Sequence, residues 1–389
     1  MNRVIRVLED AVETRATAGA VALVRHRGDI VLHESVGHAA REPEELPMTP
    51  ETVFDLASLT KPLVGATLAL CLVDRGYFSL DEEVTRWLPE LESVRARGVT
   101  FRRLLSHTSG LVGWRPFYVW TTSRQEYLRK IDEFGLVADP GSRFEYSDVG
   151  YIALGLALER AADATLTELA GELIFEPLGL SRTSFNPDLP PAAFATTEKG
   201  NAFEKRMADW ADLQFNGWRT DFHPGEVNDG NTHYGLGGVS AHAGLFSNAE
   251  EVALIGEMWA RGGKLGSDRI LSSAVVEAAT REQAPDNAGR GLGWQLMRTT
   301  GPTVDQLSRA DAGFFPPVDS PFTPWPSGEL MGRKSFGHTG FTGTSIWIDP
   351  ERELVAVLLA NATHPVVDLN RPLNATRARF HNAVVASLD

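Results

Sequence analysis

The chain has 389 residues, 43% of them hydrophobic and 23% charged, enough to bury roughly three quarters of its unfolded surface, which excludes a disordered or fibrous protein. Its 37 Lys+Arg against 51 Asp+Glu leave a net charge of -14, a field that repels phosphate backbones and anionic lipid, so neither nucleic acid nor a membrane surface is an expected partner. The single cysteine, Cys71, excludes an internal disulfide framework and a multi-thiolate zinc site.

Residues 1–13 place Val4, Ile5, Leu8 and Val12 on one helical face, an amphipathic helix and not a secretory signal. The chain as given is therefore expected in the cytoplasm, or outside it if a signal has been removed. Residues 20–26 and 30–36 are β-rich and meet at Arg27-Gly28-Asp29, a hairpin signal. Helical periodicity follows over 61–76, from Thr100 through Leu105, over 123–135 and over 149–163. The longest apolar run, 63–73, is too short for the ~20 residues of a spanning helix and reads as a core helix.

From Pro187 to Gly238 the chain reads as irregular, and so does 310–332, which carries Pro316, Pro317, Pro321, Pro324 and Pro326. Between them 249–261 and 272–282 are predicted helices. The tail turns to strands over 291–298, 334–338, 342–348 and 354–359, with a turn at 349–352, and closes as a helix over 377–388. Hairpins at both ends and helices between them predict an α+β fold. One antiparallel sheet is built from both termini, about 1–57 and 285–389, with a mostly helical part, about 58–284, inserted.

The run Asp55-Leu56-Ala57-Ser58-Leu59-Thr60-Lys61-Pro62 contains the one Ser-x-x-Lys of the sequence. Pro62 is tolerated in a first helical turn, where N–H groups lack intrahelical acceptors, so Ser58 falls at a helix N-terminus and Lys61 one turn on. At that spacing the amine reaches the hydroxyl. A neutral lysine takes the serine proton, and burial favours the neutral form. Free amides at the same terminus can meet an oxyanion. Read blandly, Ser58 is an N-cap and Lys61 a solvated side chain.

Three ordered stretches, Ser58-Leu59-Thr60-Lys61, Tyr146-Ser147-Asp148 and His338-Thr339-Gly340, resemble the three boxes of the serine β-lactamase, D-alanyl-D-alanine peptidase and penicillin-binding esterase superfamily. The resemblance is to its class C-like branch. It extends over 104–111, 237–248 and Gly291-Leu292-Gly293-Trp294, and with Val227-Asn228-Asp229 looks closest to penicillin-binding carboxypeptidases of type 4B. It implies a β-lactamase/transpeptidase-like fold, Ser58 as nucleophile, Lys61 and Tyr146 as proton carriers, and no cofactor. The implied partner is a small ester, a β-lactam or a D-amino-acid peptide.

By the same resemblance the Phe341 amide joins that of Ser58 in an oxyanion hole, and Asp148, His338, Thr339 and Gly340 bind substrate. Two positions depart from the commoner pattern. Asp148 stands where Asn is usual; a carboxylate donates no amide hydrogen to a substrate carbonyl and favours the charged form of Lys61. His338 stands where lysine is usual and supplies no fixed charge. Together they favour an esterase or D,D-peptidase over an efficient β-lactamase.

His107 and His242 read as structural histidines satisfied by loop groups, and Phe336 argues against Lys334-Ser335-Phe336 as the third box. No Gly-x-Ser-x-Gly elbow and no His-x-x-x-His pair with a glutamate occurs. The rivals are an idle scaffold that binds without turnover and, more distantly, a carboxylate glycosidase.

Overall fold

The computed structural model describes residues 1–93, 98–297, 325–369 and 371–388. Much of the proline-bearing stretch, including Pro316, Pro317, Pro321 and Pro324, lies outside the described residues, as does Arg298 at the end of the expected 291–298 strand.

The chain begins with α1 (Asn2–Glu13), β1 (Gly19–His26), β2 (Asp29–Ala40), β3 (Leu46–Pro47) and β4 (Phe54–Asp55). A helical middle follows: α2 (Thr67–Asp74), α3 (Phe101–Leu105), α4 (Arg124–Phe134), α5 (Asp148–Ala162) and α6 (Leu166–Ala170). Next come β5 (Ser184–Phe185), α7 (Ala202–Trp210), β6 (Leu245–Ser247), α8 (Ala249–Ala260), β7 (Lys264–Leu265), β8 (Asp268–Arg269) and α9 (Ser273–Ala279). The tail is β9 (Gln295–Leu296), β10 (Phe336–Thr339), β11 (Ser345–Asp349), β12 (Leu354–Ala360) and α10 (Leu373–Val385).

Seven strands form one antiparallel sheet in the order β3-β2-β1-β12-β11-β10-β9, which draws only on the two ends of the chain. The termini close on each other where Ala20 of β1 faces Ala360 of β12 and Leu23 faces Val357. β12, Leu-Val-Ala-Val-Leu-Leu-Ala, is buried throughout. Such a continuous apolar strand is expected when both sheet faces are covered.

Alternation along these strands sorts two cores. Ala20, Ala22, Val24, Trp347, Ala356 and Leu358 pack beneath Val4 and Leu8 of α1 and Phe380 and Val384 of α10. Val21, Leu23, Ile346, Ile348, Val355 and Val357 face the other way, into the main core with Val252, Ile255 and Trp259 of α8. α8 lies within the stretch expected to belong to the helical part, yet it packs on β1, β11 and β12. Its apolar stripe is what covers the second face of the sheet.

Residues 187–238, read as irregular, contain α7. Phe203, Met207 and Ala208, four and five residues apart, bury one side of it, while Trp210 at its end is 65% exposed. The expected strand over 291–298 shrinks to Gln295–Leu296 among the described residues, since Gly293 takes a left-handed φ of 85° and breaks the extended run. The stretch 57–74 is apolar and long enough to cross a membrane, but 83% of it is buried inside the fold, as a core helix requires.

α8 approaches the sheet closely at Gly256, where an added Cβ would stand 2.7 Å from both the Ile346 Cδ1 and the Val355 Cγ1 atoms. Gly256→Val is therefore expected to overpack this face and cost about 1–3 kcal/mol. A lowered midpoint in urea unfolding at unchanged slope checks it.

Candidate active site

The turn at Ser58 is built from its backbone. After β4, Ala57 adopts a left-handed φ of 47°, a conformation unfavourable for a residue with a Cβ. Asp55 holds it there: its Oδ1 accepts the Ala57 N–H at 2.8 Å, and its Oδ2 accepts the Asn228 N–H at 2.7 Å. A short 3-10 turn, Ala57–Leu59, passes into a π-helical turn, Lys61–Ala66, before α2 begins. The expected helix over 61–76 thus opens wide, a geometry common where a chain serves a functional site.

Lys61 is fully buried, and its ammonium meets three oxygens. It donates to Ser58 Oγ at 2.8 Å and to the His242 carbonyl at 3.0 Å, and it pairs with Asp148 Oδ1 at 2.6 Å. Burial alone pulls a lysine down, but the Asp148 carboxylate and the Tyr146 phenol outweigh it and hold Lys61 above its ordinary range. At neutral pH it is the ammonium.

Asp148 is the first residue of α5, where the positive helix end favours a carboxylate. Ser147 caps that helix by accepting the Gly150 N–H at 2.8 Å, and the Asp148 amide reaches the Gly113 carbonyl at 2.8 Å. Tyr146 lies just outside the helix, with Lys61 Nζ 5.0 Å from its ring centre. His107 stacks on the Tyr146 ring at 4.4 Å, and its Nδ1 accepts the Ser147 N–H at 3.0 Å. Burial, with Arg290 and Lys61 nearby, pushes His107 well below its usual range. A neutral, hydrogen-bonded, stacked imidazole supports the loop that carries Tyr146 and Asp148.

The third box lies on β10 and the turn after it. That turn is tied to the chain preceding Ser58, because Thr342 Oγ1 donates to the Asp55 carbonyl at 2.8 Å and Thr344 Oγ1 to the Leu56 carbonyl at 3.0 Å. A Cβ on Gly340 would meet Thr344 Oγ1 at 2.1 Å and the Leu56 carbonyl at 2.5 Å, so only glycine fits there. Neither the Ser58 nor the Phe341 amide donates to an acceptor among the described residues, as two amides reserved for an oxyanion would be. His338 is buried and donates its Nδ1–H to the Thr339 carbonyl at 2.8 Å. Burial, Arg290 and Lys61 keep it neutral; its Nε2 has no hydrogen-bond partner among the described residues, and its ring lies 6.1 Å from that of Tyr146. Lys334 is exposed and pairs with Glu351; the Lys-Ser-Phe stretch forms no part of the site.

Residues 4–379 match the family model described as Beta-lactamase. The chain belongs to the β-lactamase family.

Within this family it is 28% identical over 368 residues to a Salmonella agona (strain SL483) protein named "Putative D-alanyl-D-alanine carboxypeptidase", covering 89% of this chain and 79% of the relative. Its fold is shared with EstCE1, a hydrolase with promiscuous acyltransferase activity, at a TM-score of 0.72 and 22% identity over 99% of this chain and 98% of the other. It is shared also with a class C β-lactamase from Rhodobacter sphaeroides, at 0.69 and 20% over the whole of both chains. The family is one of serine hydrolases, and the fold is the β-lactamase/transpeptidase-like one that the three boxes implied.

Several neighbours of the site in this β-lactamase-family chain carried no local sequence signal. The His242 carbonyl, not its ring, reaches Lys61; the ring is held by Asp229 at 2.9 Å and Ser240 at 2.7 Å. Asp55 stands beside the first box, but only the fold shows what its carboxylate pins. Phe203 on α7 packs with Trp114, Met207 and Val367, and its ring lies 5.4 Å from that of Phe341, making an apolar wall beside the turn. Trp120 and Trp210 are exposed.

Behind this wall lies a buried acidic group. Burial pushes Asp55 up to about 6 and Glu198 up to about 7, and with Asp229 nearby it holds Glu204 well above the carboxylate range. Burial pushes Asp229 up as well, but His242 and Thr232 outweigh it and hold Asp229 low. The raised carboxyls keep protons in the folded state that the unfolded chain has lost, so their contribution disappears as pH rises through their folded values. Buried His107, His338, His364 and His381 and half-buried His233 are depressed, so the unfolded chain takes up more protons below about 6.5 and stability falls towards acid. A melting temperature with its maximum near pH 6–7 is expected, declining on both sides. Glu204→Gln should flatten the alkaline decline and steepen the rise on the acid side, because the proton held by folded Glu204 opposes that rise from about pH 4.5 up to about 8; melting curves from pH 5 to 9 check both.

Proposed function

We propose that this chain is a serine hydrolase acting through an acyl-enzyme on Ser58, with esters or D-amino-acid peptides as substrates in preference to β-lactams. The observation that carries it is Lys61 Nζ at 2.8 Å from Ser58 Oγ, in a buried turn flanked by two unused amides. The names of the carboxypeptidase relative and of the structurally similar EstCE1 support the same reading.

Because the ammonium donates to Ser58 Oγ, the hydroxyl's own proton is directed elsewhere, and in this mechanism Tyr146, whose ring lies 5.0 Å from the same ammonium, takes it as the phenolate and becomes the phenol. Lys61 then favours negative charge on both oxygens as the proton moves. Oγ bonds to the substrate carbonyl carbon while the carbonyl electron pair moves onto oxygen, where the Ser58 and Phe341 amides receive it. Collapse restores the carbonyl and expels the alcohol or amine, which takes the proton from Tyr146. Water repeats the sequence on the acyl-enzyme and frees Ser58.

Asp148 fixes the charge of Lys61 and offers no amide donor, and neutral His338 offers no fixed cation for a β-lactam carboxylate. The wall of Trp114, Phe203 and Phe341 suits an apolar acyl group. A second reading, an idle scaffold that binds without turnover, is favoured by the 2.6 Å ion pair, which makes Lys61 itself a poor base.

Incubation with a fluorophosphonate or labelled penicillin followed by mass spectrometry should place the adduct on Ser58. Ser58→Ala should lower p-nitrophenyl ester hydrolysis by about 10³-fold or more. No adduct from either probe, or unchanged hydrolysis in Ser58→Ala, overturns the reading; acylation of Ser58 with no turnover of any ester selects the idle scaffold. Asp148→Asn supplies the missing amide donor, and a hydrogen bond of about 1 kcal/mol should raise chromogenic cephalosporin turnover relative to ester roughly fivefold. Rapid cephalosporin hydrolysis by the unaltered chain would contradict the substrate preference.

A further inference from the structure

Arg377, on α10, is buried against the β10–β11 turn that carries Gly340 and Thr344. Its guanidinium has no carboxylate partner among the described residues. One nitrogen, Nη2, donates to the Gly340 carbonyl at 2.7 Å and to the Thr344 carbonyl at 2.9 Å, and Nη1 donates to Asn374 Oδ1 at 2.9 Å. A buried cation answered only by neutral oxygens is a costly arrangement, and packing alone would be served as well by an apolar side chain of the same size. Burial lowers Arg377 to about 9, which still leaves it charged at neutral pH.

The Gly340 carbonyl belongs to the same peptide plane as the Phe341 N–H. This bond is trans, since the cis bonds among the described residues are Glu42–Pro43 and His364–Pro365. In a trans peptide the C=O and N–H point in opposite directions, so anchoring the carbonyl on Arg377 aims the Phe341 N–H away from α10. A cation on the carbonyl oxygen also draws electrons along the amide and makes that N–H a stronger donor. The bond to Thr344 fixes the other end of the turn, which already closes through Gly340 N–H to the Thr344 carbonyl at 2.8 Å and Gly343 N–H to the Gly340 carbonyl at 3.1 Å.

We infer that Arg377 is a positioning residue for the oxyanion hole: through the Gly340–Phe341 peptide it both aims and polarises one of the two amides that receive the substrate oxygen. It touches no substrate. This rests on the acyl-enzyme reading above, and Ser58 labelling tests that reading separately.

The test uses the full-length chain with Arg377→Met, which removes the charge at similar length, and Arg377→Lys, which keeps the charge but not the planar fork. In Arg377→Met, kcat for a p-nitrophenyl ester should fall roughly tenfold to a hundredfold, short of the loss from deleting an oxyanion donor, with KM changed less than about threefold. The affinity of a boronic acid transition-state analogue should fall in parallel. The infrared carbonyl stretch of the Ser58 acyl-enzyme should move to higher frequency, because a weaker donor polarises it less. Arg377→Lys should recover part of both.

If Arg377→Met does not fold, the folded lysine variant carries the test alone: intermediate kcat and an intermediate carbonyl frequency support the inference, and wild-type values of both overturn it. Equal losses in kcat and in ground-state binding, with an unshifted carbonyl, would mean that Arg377 only packs α10 and would also overturn it. If the unaltered chain acylates normally while these outcomes fail, the inference falls and the acyl-enzyme reading stands; if the unaltered chain gives no adduct, that reading falls and takes this one with it.

Discussion

A lysine ammonium without water has to be met by oxygen on every side, and the site is organised by how Lys61 meets that demand. One of its three partners, Ser58, comes from its own turn, and the other two from distant segments: Asp148 from the start of α5 and the His242 carbonyl from the approach to β6. Removing one of them leaves a buried charge short of a partner, which is more destabilising than never having had the charge. The contact that prepares Ser58 therefore also clamps the helical part of the molecule against the turn that follows β4.

The turn itself is held by a different kind of bond. Ala57 is kept in a left-handed conformation by Asp55, while Thr342 and Thr344 donate to the carbonyls of Asp55 and Leu56. Strain at one residue persists only where its neighbours over-determine it. Here the first and third boxes lock each other: the β10–β11 turn cannot shift without releasing two carbonyls next to the nucleophile. The two amides expected to hold the oxyanion thus belong to one rigid unit rather than to two loops that meet by chance.

Much of this was legible in the sequence where the chemistry is local. The periodicity of 1–13, the hairpin at Arg27-Gly28-Asp29 and the apolar tail strands led to α1, β1, β2, β11 and β12, because each pattern is set by which face a single element buries. The three boxes were visible because each places its residues within a few positions. What was not legible depends on contacts between segments far apart. α7 was hidden by its Gly- and Asn-rich surroundings, and its value lies in Phe203 meeting Phe341, 138 positions away. The π-turn at Lys61 looked like ordinary helix, since the hydrophobic pattern does not distinguish the two over six residues. Asp55 and Arg377 gave no signal of their role because what they hold is backbone, and backbone acceptors have no sequence.

The charge balance also takes on a sharper meaning. In a chain of net charge -14, the two cations that flank the nucleophile's turn are both buried and are answered differently. Lys61 is matched by a carboxylate, so its charge is compensated, and in the proposed reaction a proton passes between Ser58 and Tyr146 with the net charge of the site unchanged. Arg377 is matched only by peptide and amide oxygens, so its charge is not cancelled but handed on through the Gly340 carbonyl towards the site. A paired charge suits proton transfer, and an unpaired one suits an oxygen that becomes negative during the reaction. In the proposed reaction these two interior positive charges, one compensated and one not, therefore have different parts.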